Sequence, residues 1–197
     1  MLIAVANVKG GVGKTTSAVY LAATAARTGE TAVVLVDADP QASAAEWLEE
    51  QPLAGVSVAE APSERLVARA VELGAGATVI IDTPPGSERI VRAAVAEADA
   101  VVVPTRAGSL EVSRVQATLH MVPAGARRGL VITAARTGTR DYRETVQGWQ
   151  DAGIVVWGSI PERVAVAAGP DAPLSAEALM VYEAVLEAAM GLQEVPQ

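Results

Sequence analysis

The chain has 197 residues, of which 51% are hydrophobic and 19% are charged, and this composition excludes the disordered and fibrous classes. It contains no cysteine, which excludes disulfides, thiolate metal sites, iron–sulfur ligation and cysteine nucleophiles. The net charge of −8 argues against a chain coated with nucleic acid, because such a surface would be basic. We expect one domain over residues 1–197, in a soluble cytoplasmic protein without a leader or membrane span.

Predicted strands and helices alternate along the chain. Short runs rich in Val, Ile and Leu predict seven strands, at residues 2–7, 31–36, 56–58, 78–81, 100–103, 130–133 and 154–157. Helical patterns predict eight helices, at residues 15–27, 42–50, 63–73, 87–97, 109–121, 141–151, 161–168 and 175–190. Gly29 is expected to end the first helix and Ser109 to cap the fifth. Buried runs separated by helices predict an α/β fold, a doubly wound, mostly parallel sheet with helices on both faces.

The segment VKGGVGKTTS, residues 8–17, follows the first predicted strand. It matches the phosphate-loop pattern G-x-x-x-x-G-K-[ST] except that Val8 occupies the position of the first glycine. The glycines leave backbone N–H groups free to surround an anion, at the positive end of the following helix. In this pattern Lys14 reaches the β and γ phosphates, and the Thr15 hydroxyl takes one position on Mg²⁺.

A second lysine, Lys9, stands in the same loop. The chain has 15 basic residues, and all of them except Lys9 and Lys14 are arginine. Because a compact ammonium on a flexible stem differs from a planar guanidinium in what it can contact, two lysines in one loop indicate a specific use.

Acidic residues end two other predicted strands. Asp82 follows the run TVII, as a Walker B carboxylate does when it serves a metal ion, often through water. Asp37 and Asp39 follow the second strand, where they could order a water molecule or join the metal shell, although Asp is also a common turn residue before Pro. Ligands of such sheets bind beyond the carboxyl ends of the strands, so the loop and these acids are predicted to meet at one edge.

Three segments together carry a family resemblance: KGGVGKTT, DADPQAS and VIIDTPPG. They resemble the ParA/MinD family of deviant Walker ATPases, and most of all the small ParA-type partition proteins. The segments VVVPTRAGSLEVSRV and SIPERVAVAAG fit the same family more loosely. The resemblance implies a P-loop ATPase that forms a homodimer with ATP and Mg²⁺ and hydrolyses ATP slowly.

The resemblance also assigns roles. The residues implied to bind the nucleotide are Lys9, Gly10, Gly11, Val12, Gly13, Lys14, Thr15, Thr16 and, near the adenine, Pro161. Lys9 is implied to cross the dimer interface to the partner's phosphates, Lys14 to hold the phosphates of its own subunit, and Asp39 to polarise or position the hydrolytic water. Thr15 and Asp82 are implied to serve Mg²⁺, with Asp37 near the metal shell.

An arginine-rich stretch lies between Arg127 and Arg143, which contains five arginines and a single acid, Asp141. ATP-bound dimers of the resembled family bind DNA without sequence preference, and the candidates here are Arg136, Arg140 and Arg143. Such side chains contact phosphates and do not discriminate sequence. A solvated arginine face without a ligand is the alternative.

Four functions stay open at this stage. The favoured one is partition of plasmid or chromosomal DNA on the nucleoid, with a ParB-like partner that stimulates hydrolysis. The same switch could position a protein cargo, such as an organelle or chemoreceptor cluster, through an adaptor. A MinD-like cell-division regulator would need a basic amphipathic helix for lipid, whereas no Lys or Arg follows Arg163. An ATP-dependent ligase on the same fold is the fourth.

Overall fold

The computed structural model describes residues 1–28, 31–108 and 111–192. Within these residues seven parallel strands form one sheet in the order β3-β2-β4-β1-β5-β6-β7. The strands are β1 (Leu2–Val5), β2 (Val33–Asp37), β3 (Val56–Glu60), β4 (Thr78–Asp82), β5 (Ala100–Arg106), β6 (Arg127–Ala135) and β7 (Val156–Pro161). The predicted edge strand at 56–58 is β3, the outermost strand on one side.

Helices cover both faces of this sheet. They are α1 (Lys14–Thr28), α2 (Ser43–Glu50), α3 (Glu64–Leu73), α4 (Glu88–Ala96), α5 (Val112–Leu119), α6 (Arg140–Asp151), α7 (Val164–Ala167) and α8 (Ala176–Met190), with a 3₁₀ turn at Gly169–Asp171. One buried cluster joins the sheet to α1, α2 and α8, and a second joins it to α3, α4, α5 and α6. The predicted doubly wound α/β fold is confirmed, with every strand pairing parallel.

The boundaries differ most at β7, predicted at 154–157 but found at Val156–Pro161. The predicted strand ended before Gly158, whereas the observed strand continues through it. A Cβ at Gly158 would lie 2.9 Å from the side chains of Val181 and Val185 on α8. Glycine at this position therefore allows α8 to pack closely against β7. The predicted helix at 161–168 shortens to α7. Gly29 and Ser109, expected at helix ends, lie outside the described residues.

The sheet order brings the predicted functional segments to one edge. The central strand β1 pairs with β4 and β5, and β4 also pairs with β2. In this register Asp82 lies beside Val5 on one side and beside Asp37 on the other. The loop after β1 therefore begins next to the acids that end β2 and β4, at the carboxyl edge where ligands of such sheets bind.

Candidate functional site

The loop after β1 turns sharply before α1 begins at Lys14. Gly11 and Gly13 have φ angles of 70° and 84°, in the left-handed region that favours glycine. Buried Asn7 holds the start of the loop, because its Oδ1 accepts the Lys9 N–H at 2.9 Å and its Nδ2 donates to the Pro104 carbonyl at 2.8 Å. The result is a fixed loop at a helix N-terminus, the arrangement that binds anions.

Lys14 lies inside this loop and is buried. Its Nζ donates to the Lys9 carbonyl oxygen at 2.8 Å. Burial lowers the pKa of Lys14, and the negative charges of Asp82 and Asp39 oppose that shift. The ammonium thus lies where an anion in the loop would meet it, as the phosphate-loop pattern predicts.

Asp82 is a buried carboxyl, and neither of its oxygens accepts a well-formed hydrogen bond from the described groups, although the Thr15 hydroxyl lies close enough to affect its pKa. Burial raises the pKa of Asp82 from its ordinary 3.8 to about 7; the Thr15 hydroxyl and the Lys14 charge oppose the rise, and the Asp37 and Asp39 charges add to it. A buried carboxylate is costly unless it is paired or binds a cation. Asp82 together with the Thr15 hydroxyl therefore fits a hard cation such as Mg²⁺, which prefers oxygen ligands.

Asp37 has a different environment, although it is equally buried. Its Oδ2 accepts the N–H groups of Ala44 and Ala45 at 2.8 and 2.9 Å, and its Oδ1 accepts the Asp39 N–H at 3.0 Å. These bonds hold the first turn of α2 to the end of β2. A place for Asp37 in the metal shell remains a prediction, alongside this structural role.

Asp39 is half-buried, and its Oδ1 accepts the Gln41 N–H at 3.0 Å. Its charge raises the pKa values of both Lys14 and Asp82. A role for Asp39 in positioning water remains a prediction.

The Lys9 ammonium has its partner outside the phosphate loop. Its Nζ forms an ion pair with Oε1 of Glu111, which immediately precedes α5. Glu111 is buried and was not among the residues predicted from the sequence. Its place in LEVSRV, directly before an amphipathic helix, gave no sign of burial.

A cleft of about 330 Å³ opens beside the loop. Its lining includes Gly11, Val12, Gly13, Thr16, Arg106, Thr133, Ala134, Pro161 and Tyr182. Pro161, predicted to lie near a base, thus shares a cavity with the phosphate loop. Several lining residues were missed, among them Thr133, Tyr182 and Arg106. Thr133 donates to the Val12 carbonyl at 3.0 Å, the Tyr182 hydroxyl lies 2.7 Å from Ser17 Oγ, and Arg106 ends β5. Arg106 and Thr133 stand at strand ends, which could have indicated them.

The arginine-rich stretch does not form one patch. Arg127 and Arg128 begin β6, whereas Arg136 follows its other end. The strand has nine residues, and at about 3.3 Å each it separates Arg127 from Arg136 by roughly 30 Å. The charge excess counted along the sequence is therefore divided between two edges of the sheet.

The three predicted DNA-binding arginines are exposed, and two of them are paired with acids. Arg136 contacts Glu162 at 2.6 Å and Arg140 contacts Glu144 at 2.6 Å. Arg143 donates to the Gly138 carbonyl at 3.5 Å. Glu144 and Glu162 lie beyond residue 143, so the count between Arg127 and Arg143 left them out.

Residues 3–174 match the CobQ/CobB/MinD/ParA nucleotide-binding domain. The chain belongs to this family. It is 39% identical over 150 residues to the maintenance of carboxysome distribution protein A of Gloeobacter kilaueensis, covering 74% of this chain and 68% of that protein. It is 33% identical over 210 aligned positions to the chromosome-partitioning ATPase Soj of Thermus thermophilus, covering 85% of this chain and 84% of Soj.

Solved structures share the fold. A protein of Borrelia burgdorferi described as a plasmid partition protein, bound to AMPPNP, superposes with a TM-score of 0.79 at 19% identity, over 98% of each chain. Cobyrinic acid a,c-diamide synthase of Mycobacterium smegmatis, with ADP and magnesium, superposes with a TM-score of 0.74 at 21% identity, over 100% of this chain and 98% of the other. At these identities the likeness concerns the fold, which the family uses for several activities.

Proposed function

We propose that this ParA/MinD-family protein is an ATP-dependent dimerisation switch that binds DNA without sequence preference and drives the partition of DNA. The observation that carries the proposal is the separation of the two lysines of one phosphate loop. Lys14 lies inside the loop, whereas Lys9 extends from it toward α5, and its side chain keeps 40% of its accessible surface. Lys14 already serves the phosphates of its own subunit, so the second, partly exposed ammonium is available to a second subunit once it leaves Glu111.

Within one subunit the residues present fit ATP and Mg²⁺. The backbone of Gly10–Thr16 and the N-terminus of α1 would hold the phosphates, Lys14 would neutralise their charge, and the cleft beside Pro161 would take the base. Thr15 and Asp82 would hold the cation. In the described residues no three His, Asp or Glu side chains form a metal cluster, as expected where phosphate oxygens and water complete the cation's shell. The cation would neutralise charge on the phosphates.

Three further residues would make this site a switch. Asp39, half-buried beside the loop, would orient the water that attacks the terminal phosphate, and Asp37 would support the metal shell while it holds α2. Lys9 would contact the phosphates of the second subunit. Hydrolysis would remove the group that Lys9 contacts, and the dimer would then separate.

DNA would bind through exposed arginines on the edge beyond β6, including Arg136, Arg140 and Arg143. The carboxylates of Glu144 and Glu162 compete for the first two, but exposed ion pairs contribute only about 0–1 kcal/mol each. A polyanion that gains entropy by releasing counterions can therefore displace them. Contacts of this kind would be uniform across sequences.

The cargo is the finer part of the proposal. Similarity to the chromosome-partitioning ATPase Soj supports partition of plasmid or chromosomal DNA with a ParB-like partner. Similarity to the maintenance of carboxysome distribution protein A supports the alternative, in which the same switch positions a protein assembly through an adaptor. Capture of partners with the ATP-bound protein would separate them, since one cargo brings a DNA-bound protein and the other a component of the assembly.

DNA retention with ATP and with ADP, measured across a salt series on unrelated duplexes, tests the proposal. We expect retention only with ATP, equal for all duplexes, and falling steeply as salt increases. Equal retention with ADP would contradict the switch, and a sequence preference would contradict the phosphate-contact mode.

In the described part of the chain no helix has the length and apolarity needed to span a bilayer.

A further inference from the structure

Lys9 is held at three points of its own subunit. Its N–H donates to Asn7 Oδ1 at 2.9 Å, its carbonyl accepts from Lys14 Nζ at 2.8 Å, and its ammonium pairs with Glu111. The side chain is therefore committed to a contact within the monomer, although the proposed function requires it at the partner's phosphates. An ammonium has three N–H donors, so the conflict between the two contacts is one of position: holding Lys9 against Glu111 restrains it from extending to a second subunit.

Glu111 is poorly suited to lose this partner. Its side chain is 8% exposed, and its Oε2 is buried without a hydrogen-bond donor among the described groups. The Lys9 ammonium compensates the charge of this carboxylate. Removing one partner of a buried pair leaves an uncompensated charge, so departure of Lys9 would disfavour the present position of Glu111.

The helix that follows Glu111 also contacts the loop. Thr118 of α5 is buried, and its Oγ1 accepts the Val8 N–H at 3.3 Å while it donates to the Arg114 carbonyl at 2.9 Å. Two successive loop residues, Val8 and Lys9, are thus attached to the two ends of one short helix. A change in the position of Lys9 would therefore alter the contacts that hold the start of α5.

We propose that Glu111 is a positioning residue that keeps Lys9 on its own subunit until a nucleotide-bound partner competes for the ammonium. This Lys9–Glu111 latch opposes dimerisation, and each dimer must open two of them. The inference rests on the proposed trans role of Lys9, but the latch itself belongs to the free monomer and can be measured there. Its release would also leave Glu111 free to move with the start of α5.

The composition of the chain offers a direct measurement. Lys9 and Lys14 are its only lysines, so brief acylation of the nucleotide-free protein, followed by peptide mass spectrometry, reports on two side-chain amines. We expect Glu111→Gln to increase the acylation rate of Lys9 about threefold, as for loss of a partly exposed ion pair, with Lys14 unchanged. Glu144→Gln removes the same charge from an exposed residue that pairs with Arg140, and it should leave Lys9 unaltered. An unchanged Lys9 rate in folded Glu111→Gln would overturn the latch.

The second arm measures dimerisation by sedimentation with Mg²⁺ and AMPPNP, which avoids hydrolysis. Because two latches open for each dimer, a threefold effect at one latch becomes about tenfold tighter dimerisation for Glu111→Gln. If the unsubstituted protein dimerises and Glu111→Gln dimerises no more tightly, the latch is wrong. If the unsubstituted protein stays monomeric with AMPPNP, the proposed function fails, and the acylation rates still decide whether the latch exists.

Should Glu111→Gln fail to fold by circular dichroism, Glu111→Asp provides the second variant. It keeps the charge but withdraws the carboxylate by one methylene, and Lys9 acylation should again rise. A Lys9 rate equal to that of the unsubstituted protein would reject the latch for this variant as well.

Discussion

Two regions lie beyond the carboxyl ends of strands but differ in how their side chains are held. The phosphate-loop edge comprises the loop after β1 with Asp37 and Asp82, and the arginine edge comprises Arg136, Arg140 and Arg143. At the loop, buried side chains have assigned partners: Asp37 accepts three backbone N–H groups and Lys14 donates to a carbonyl of the loop. At the arginine edge the side chains are exposed, and two of them contact acids. We infer that function at the first edge depends on fixed geometry, and at the second on exposed positive charge located at that edge.

The largest predicted loss of stability is that of Asp37→Ala, at the phosphate-loop edge. The substitution leaves three backbone N–H groups without their acceptor, two of them in the first turn of α2. We expect the free energy of unfolding to fall by about 2–4 kcal/mol, because water replaces only part of what the carboxylate supplies.

Urea unfolding of the nucleotide-free protein measures that loss. Asp141→Ala is a matched control, because it removes an aspartate that lies at the start of a helix, α6, but at an exposed position. A loss below about 1 kcal/mol for Asp37→Ala, similar to the control, would show that the Asp37 carboxylate does not stabilise the contact between β2 and the first turn of α2.

Asp82 gives a smaller, pH-dependent effect. Its pKa in the folded protein is about 7, above its ordinary value, so the folded state binds the proton more tightly than the unfolded state. Its contribution therefore favours folding at low pH and is lost as the pH rises through 7. We expect the nucleotide-free protein to lose roughly 1–2 kcal/mol of stability from this group between pH 5 and 7.

Asp82→Asn removes that dependence and leaves the other titrating groups in place. Unfolding curves of the two proteins at pH 5, 6, 7 and 8 isolate the contribution as a difference in slope. Parallel pH profiles would mean that the Asp82 carboxyl is not held in the unfavourable environment that suits it to a cation.

At the arginine edge each substitution should have the smallest effect, and the quantity affected is DNA binding. Arg140→Ala with Arg143→Ala should weaken DNA binding several-fold, uniformly across sequences, and reduce the salt dependence by about one released ion per lost contact. Glu144→Gln should act in the opposite direction, because it frees Arg140 from its ion pair. DNA retention with ATP at low salt measures both changes.

Arg89→Ala with Arg92→Ala is the matched control on α4, where both arginines also contact acids. An equal loss of DNA binding in the control would mean that total charge matters and position does not. Unchanged retention in the Arg140 and Arg143 variant would place the DNA-binding face elsewhere.

The fold and the positions of the segments could be predicted from sequence where the pattern is local. The order of strand, glycines, lysine and helix around Lys14 is contiguous in the chain, and the parallel register then brings Asp37 and Asp82 to its side. Glu111 was missed because its partner Lys9 lies 102 positions away, and no local pattern indicates such a pair. The arginine count failed as a description of a surface because β6 separates its two ends, while Glu144 and Glu162 lie outside the counted stretch.

The central claim is that one loop serves two subunits, and ATP-dependent dimerisation of Lys9→Ala tests it most directly. The measurement is sedimentation of the unsubstituted and Lys9→Ala proteins with Mg²⁺ and either ATP or ADP, with ATP binding followed in parallel. We predict that the unsubstituted protein dimerises with ATP only, and that Lys9→Ala still binds much of the ATP but stays monomeric. A Lys9→Ala protein that dimerises with ATP as the unsubstituted protein does would contradict the account.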